Sequence, residues 1–166
     1  PPREGVLLED FEVFAEHLVV AERRGGLTHL RVLPRTGGEG REVAFPDPTY
    51  AAWIIGTPEL DSSAVRYGYS SLTTPRSVYD HDLRSGEQEL RKRDRVLGDF
   101  DPDRYASRYL HATAADGTEV PISLVWRRDR FQRGQSLCLL YGYGSYGATM
   151  DAAFRSARLS LLDRGF

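Results

Sequence analysis

The residues with the most chemical potential lie in "SLCLLYGYGSYGATMDAAF", residues 136–154. Gly142, Gly144 and Gly147 spell G-x-G-x-x-G, the pattern of a turn whose backbone N–H groups approach a pyrophosphate. That chemistry requires the turn to open a helix, and an acid about 20 residues on to end a second strand. Here Tyr143 and Tyr146 fill x positions, and the helix-like pattern starts only after the third glycine. Asp163 has the spacing but falls at the end of that helix. The dinucleotide reading fails on these counts. A serine nucleophile on an elbow needs G-x-S-x-G. Ser145 has Tyr143 two residues before it, and Ser70 has Leu72 two residues after it, so neither fits. The loop tyrosines remain. A tyrosine after the third strand of a hydrolase-like sheet sits where half of an oxyanion hole is built. Its O–H can replace a backbone N–H as the donor to a developing oxyanion. Tyr141, Tyr143 and Tyr146 would equally serve to pack the loop.

The other reactive side chains give weaker patterns. His17, His29, His81 and His111 are spread along strand-like segments without H-x-x-x-H or H-E-x-x-H spacing. His17 and His29 are expected to approach across a hairpin at most. The carboxylates of "DFDPD" (99–103) lack the spacing of a calcium loop and read as a solvated linker. Cys138 is the single cysteine, which excludes an intrachain disulfide and a cysteine metal cluster. It sits in an apolar run and is expected to be buried. No metal and no cofactor are expected.

The composition restricts the function classes further. A formal charge of −2 gives no global field for nucleic acid or an anionic membrane. Every basic residue except Lys92 is arginine, as a GC-rich coding bias would produce. The apolar runs are all shorter than the roughly 18 residues of a membrane span. "PPREGVLLED" lacks the order of a signal peptide. A cytoplasmic, reducing compartment is the expectation. The chain starts without Met, as a piece of something longer would.

The elements that must position the loop read as mainly β. "EVFAEHLVVAERR", the turn Gly25-Gly26 and "LTHLRVLPR" predict a hairpin, followed by the loop "TGGEG" and the run "REVAF". "YAAWIIG" and "AVRYGYSSL" predict two strands, and a second hairpin turns at Arg84-Ser85-Gly86. Short strands at regular spacing fit a sandwich or propeller better than β-α alternation. A boundary is placed at 103/104. Beyond it, two strands joined at Asp116-Gly117 carry a two-residue hairpin signal. "SLCLLYG" predicts a third strand, covered on both faces because it is continuously apolar. "MDAAFRSARLSLLDRG" predicts a helix with Met150, Phe154, Ala157 and Leu161 on one face. Asp151 would lie near its start, and Gly165 would cap its end. The sequence stops at Phe166, where an α/β sheet would begin its next strand.

Four segments together are specific. "RYGYSSLTTP" (66–75), "DGTEVPISLVW" (116–126), "LLYGYGSYGA" (139–148) and "RLSLLDRGF" (158–166) resemble the prolyl oligopeptidase family of serine peptidases, its oligopeptidase B branch in particular. The likeness runs from about Leu8 to Phe166, with the motifs in family order. It implies the last blades of a seven-bladed β-propeller (residues 1–103) joined to the start of an α/β-hydrolase domain (104–166). It implies that Tyr143 is the oxyanion-hole tyrosine, and that the catalytic Ser, Asp and His lie in a C-terminal portion beyond this stretch. The substrate would be a short peptide cleaved after Arg or Lys. The family pattern D-A-D, linked to a second basic substrate residue, here reads Asp151-Ala152-Ala153. Asp151 is thus a possible basic-residue subsite, and the missing second acid weakens paired-base recognition. The alternative class is a stand-alone β-rich binding module without catalysis.

Overall fold

The computed structural model describes residues 3–166, which form two four-stranded antiparallel sheets, one hairpin and one short helix. The first sheet comprises β1 (Leu7–Val13), β2 (His17–Arg24), β3 (Leu27–Pro34) and β4 (Arg41–Glu42), in sequence order. The second comprises β5 (Tyr50–Ile55), β6 (Ala64–Ser71), β7 (Ser77–Asp82) and β8 (Gln88–Arg93), again in order. The turns Gly25-Gly26 and Arg84-Ser85-Gly86 lie where the sequence predicts them. "EVFAEHLVVAERR" is not one strand, however. It breaks at Phe14–Glu16, where Phe14 N–H donates to the His17 carbonyl at 2.8 Å. Phe14 is buried and drives that turn, which has no Gly or Pro to announce it. Of "REVAF", only Arg41 and Glu42 join the ladder.

The core lies between the two sheets and centres on β2, β3, β5 and β6. Val19, Leu30, Val32, Val65, Tyr67 and Tyr69 are buried there. β2 is apolar on both faces at Val19, Val20 and Ala21, which identifies it as an internal strand. Tyr67 stacks on Tyr79 with centroids 5.4 Å apart, and Phe45 stacks on Tyr69 at 5.3 Å. The two most deeply buried phenols each find an acceptor: Tyr67 Oη donates to Gln88 Oε1 at 2.6 Å, and Tyr69 Oη to Asp47 Oδ2 at 2.6 Å. Asp47 also accepts from the hydroxyls of Thr73 (3.2 Å) and Thr74 (2.9 Å), which fixes the β6–β7 turn to the segment before β5.

Asp101 caps a single 3-10 turn at Pro102–Arg104, which leads into β9 (Tyr105–Thr113) and its partner β10 (Glu119–Arg127). Their connection is longer than a two-residue turn. Gly117 N–H donates to Ala114 O at 2.9 Å and Ala114 N–H to Thr118 O at 2.8 Å, a three-residue loop with Gly117 at positive φ.

The segments that follow differ most from expectation. "SLCLLYG" forms no strand, and Leu137, Leu139 and Leu140 are exposed. Cys138 is exposed as well, not buried. A continuously apolar strand is stable only with neighbours on both edges and cover on both faces, and no described residue supplies them. The helix α1 spans only Ser156–Leu162, so Met150 and Phe154 precede it and share no helical face with Leu161. Asp151 lies five residues before α1 and does not meet its N-terminus. Tertiary contacts hold this stretch extended: Phe154 N–H donates to Ser70 Oγ at 2.9 Å, and the Phe154 ring packs edge-on against Phe100. Gly165 does stop the helix. With φ at +92°, it lets its own N–H reach Leu162 O and that of Phe166 reach Leu161 O.

The β9–β10 hairpin docks on the first sheet through the Gly25-Gly26 turn. Tyr109 Oη donates to Gly25 O. A Cβ on Gly26 would lie 2.7 Å from Tyr109 Oη and 2.9 Å from Pro121 Cγ. Gly25 also has positive φ, yet a Cβ there would meet nothing within 4 Å. Gly25→Ala should therefore cost only backbone strain, about 1 kcal/mol, whereas Gly26→Ala should cost an additional ~1–3 kcal/mol from overpacking. Denaturant melts of the two variants check this, and equal midpoints would contradict the close approach.

Candidate functional site

The glycine loop is a solvent-facing ribbon. Residues 142–144 have no regular structure, and Ser145–Gly147 form one 3-10 turn closed by Ala148 N–H on Ser145 O at 3.1 Å. Tyr146 sits at φ 57°, the left-handed region, where a non-glycine residue pays about 1–2 kcal/mol. The residue is 98% exposed, so no packing among the described residues offsets that cost. Tyr143 is 52% exposed. A Cβ on Gly142, Gly144 or Gly147 would meet nothing within 4 Å. Crowding by the described residues therefore does not explain these glycines. The loop opens no helix, since α1 begins only at Ser156, and this removes the geometry a pyrophosphate needs.

Asp151 is engaged by the first sheet. Its Oδ1 accepts from Arg23 Nη1 at 2.9 Å, across 128 positions of sequence. Arg23 also donates through Nε to Glu9 Oε1 at 2.6 Å and through Nη1 to Gly26 O at 3.1 Å. Burial alone would lower the affinity of Arg23 for its proton, but the Glu9 and Asp151 carboxylates outweigh it and hold the guanidinium charged. Sequence reasoning did not find Arg23, because nothing local marks one arginine of an arginine-rich strand as the partner of a distant acid.

Ser70, rejected as a nucleophile, is buried and spends its hydroxyl on Thr74 O and Phe154 N–H. Ser145 lies in the exposed turn. His17 and His29 do not meet: His17 pairs with Pro34 across the ladder, and His29 with Glu22. His81 is buried, and its pKa is lowered by burial and then by Arg41. Among the described residues no three His, Cys, Asp or Glu side chains gather closely enough to hold a metal. Among the described residues no helix is long and apolar enough to cross a membrane.

Residues 1–94 match the family model described as prolyl oligopeptidase, N-terminal beta-propeller domain. The chain belongs to the prolyl oligopeptidase family. It is 38% identical over 164 residues to dipeptidyl aminopeptidase BI of Pseudoxanthomonas mexicana, covering 98% of this chain and 22% of that protein. It is 31% identical to protease 2 of Moraxella lacunata, covering 95% of this chain and 23% of that protein. Among solved structures, oligopeptidase B from Trypanosoma brucei with covalently bound antipain matches with a TM-score of 0.87 and 37% identity. That likeness covers 99% of this chain and 24% of that one. The chain thus spans under a quarter of the length of these relatives. Its first two sheets accord with the propeller domain of the family, and the fold class is mainly β with one helix.

The end of the site segment is anchored by Asp163, which accepts from Tyr105 Oη at 2.7 Å and Arg127 Nη1 at 2.9 Å. Burial raises the Asp163 carboxyl, but these two donors together lower it below its ordinary value. Its contribution to stability is therefore whole above about pH 4 and is lost as pH falls through the lowered folded-state value. Asp163→Asn should flatten the acid-side fall in unfolding free energy, read from urea melts between about pH 4 and 2. Identical pH slopes in wild type and variant would show the tie to be inert.

Proposed function

We propose that this chain is the part of an oligopeptidase B-like serine peptidase in which the β-propeller passes into an α/β-hydrolase domain, with the boundary at 103/104. The full-length protein would hydrolyse short peptides after Arg or Lys in the cytoplasm. The observation that carries this reading is the likeness over 99% of the chain to an oligopeptidase B that holds a covalent inhibitor. The uncovered run Leu137–Tyr141 supports it physically. Such a run is what a sheet strand looks like when its neighbours come from other sequence, and it argues against a stand-alone binding module.

In this reading, a serine beyond Phe166 attacks the peptide carbonyl, and a histidine takes and returns its proton. Tyr143 Oη and a backbone N–H hold the oxyanion. The open flanks of Gly142 and Gly144 leave room for a substrate and for the downstream chain beside the phenol. Asp151 would be the carboxylate nearest in sequence to that loop available to a basic substrate side chain. The 166 residues alone contain no nucleophile elbow and should be inactive.

Removing one oxyanion donor typically costs about 10²–10³ in rate. Tyr143→Phe in the full-length protein should lower kcat by that order with little change in KM, measured with a peptide amide ending in Arg. A fall smaller than about threefold would remove Tyr143 from the oxyanion hole.

A further inference from the structure

At the end opposite the Gly25-Gly26 turn, the two four-stranded sheets are joined by polar bridges. Arg41 of β4 donates through Nη2 to Leu83 O at 2.7 Å and to Arg84 O at 2.8 Å, both in the turn between β7 and β8. Gln88 Nε2 donates to Ala44 O at 3.1 Å, and Arg84 Nη2 to Glu16 Oε2 at 2.8 Å. His81 lies on β7, two residues before Leu83. It is 4% exposed, and its Nδ1 is buried without a hydrogen-bond partner among the described residues. Across the ladder it faces Val65 of β6 and Gln88 of β8, and neither carries a charge. Two positions on along the same faces are the phenols of Tyr67, which donates to Gln88, and Tyr79, which accepts from Arg93 Nη2. The charges that act on the His81 ring are the Arg41 guanidinium and the Asp82 carboxylate. Asp82 is the next residue of the strand, so its side chain leaves from the other face. Its Oδ1 is spent on the N–H groups of Arg84 at 2.9 Å and Ser85 at 2.6 Å.

We propose that His81 is an acid-sensitive lock on the seam between the two sheets: its neutral ring lets Arg41 bridge them, and its protonation drives that bridge apart. A protonated ring carries an N–H on Nδ1, where no acceptor is in place. It also sets a second cation against Arg41, and neither has a carboxylate partner among the described residues. Arg41 can leave without disrupting the core, because it reaches the turn from the exposed two-residue edge strand β4. Burial, and then Arg41, lower the pKa of His81 in the closed seam. The open seam therefore binds the proton more tightly. Opening is suppressed above about pH 6.5 and favoured as pH falls below it. The inference is independent of the peptidase reading.

The test is amide hydrogen exchange of the full-length protein at neutral and mildly acid pH, corrected for the intrinsic pH dependence of exchange. Residues 41–45 and 83–88 are followed against the central strands β2 and β3. A free imidazole is half-protonated near pH 6.5, so opening that frees the ring gains about tenfold by about pH 5.5. Wild type should lose about tenfold protection in both seam segments, with β2 and β3 unchanged. His81→Leu, which fills the site without a charge, should lose less than about threefold. Arg41→Gln should already be less protected in both segments at neutral pH and lose less on acidification. Equal losses in wild type and His81→Leu overturn the inference. So does an acid loss spread evenly over β2 and β3, which would be global unfolding instead of an open seam. Should His81→Leu not fold, deuterium exchange at the imidazole C2 carbon of wild-type His81 reads its titration directly. A midpoint below that of a free imidazole supports the lock, and one at or above about pH 6.5 overturns it.

Discussion

Burial of phenols between the two sheets is the constraint on which the rest of the molecule depends. Tyr67 and Tyr69 are both 1% exposed and bring large apolar rings into the core together with hydroxyls that cannot be left unpaired. Burial raises the pKa of each far above that of a free phenol, so both enter the core neutral, as donors. Gln88 and Asp47 meet that need, and by doing so fix the outer strand β8 and the segment before β5. Asp47 extends the arrangement through Thr73 and Thr74 into the turn beside Ser70. Ser70 in turn holds Phe154. A chain of directed bonds thus runs from the core to the segment that carries the candidate site.

The site segment is attached to the sheets at four points of different chemistry. Tyr109 reaches the Gly25 carbonyl, Thr49 and Ser123 share a hydrogen bond of 2.5 Å, Ser70 receives Phe154, and Arg23 pairs with Asp151. Most of these are polar contacts at part-exposed positions, and such contacts are individually weak. They define position more than they supply stability. Between the attachment points, the glycine loop and the run before it stay exposed.

How far the sequence was legible follows from the range of the forces involved. The hairpin turns depend on positive φ at Gly25 and Gly26 in the first and at Gly86 in the second, so they could be read locally. The Phe14–Glu16 turn could not, because burial of Phe14 by the second sheet decides it. The composition around Cys138 and its leucines predicts a buried strand, but burial is a property of neighbours, and the described residues provide none. The helix was overextended at its start because Met150–Arg155 has a helical apolar pattern, while Ser70 and Phe100 hold Phe154 in an extended segment.

By itself, the sequence determined the family, the mainly β architecture and the tyrosine-bearing glycine loop. These rest on motifs and periodicities written in adjacent residues. Tertiary structure alone decided that Asp151 is paired with Arg23, that Gly26 must stay bare, and that no described residue covers the loop. Each of these joins residues far apart in the chain, and one strand arginine is indistinguishable from another until the fold brings a carboxylate to it.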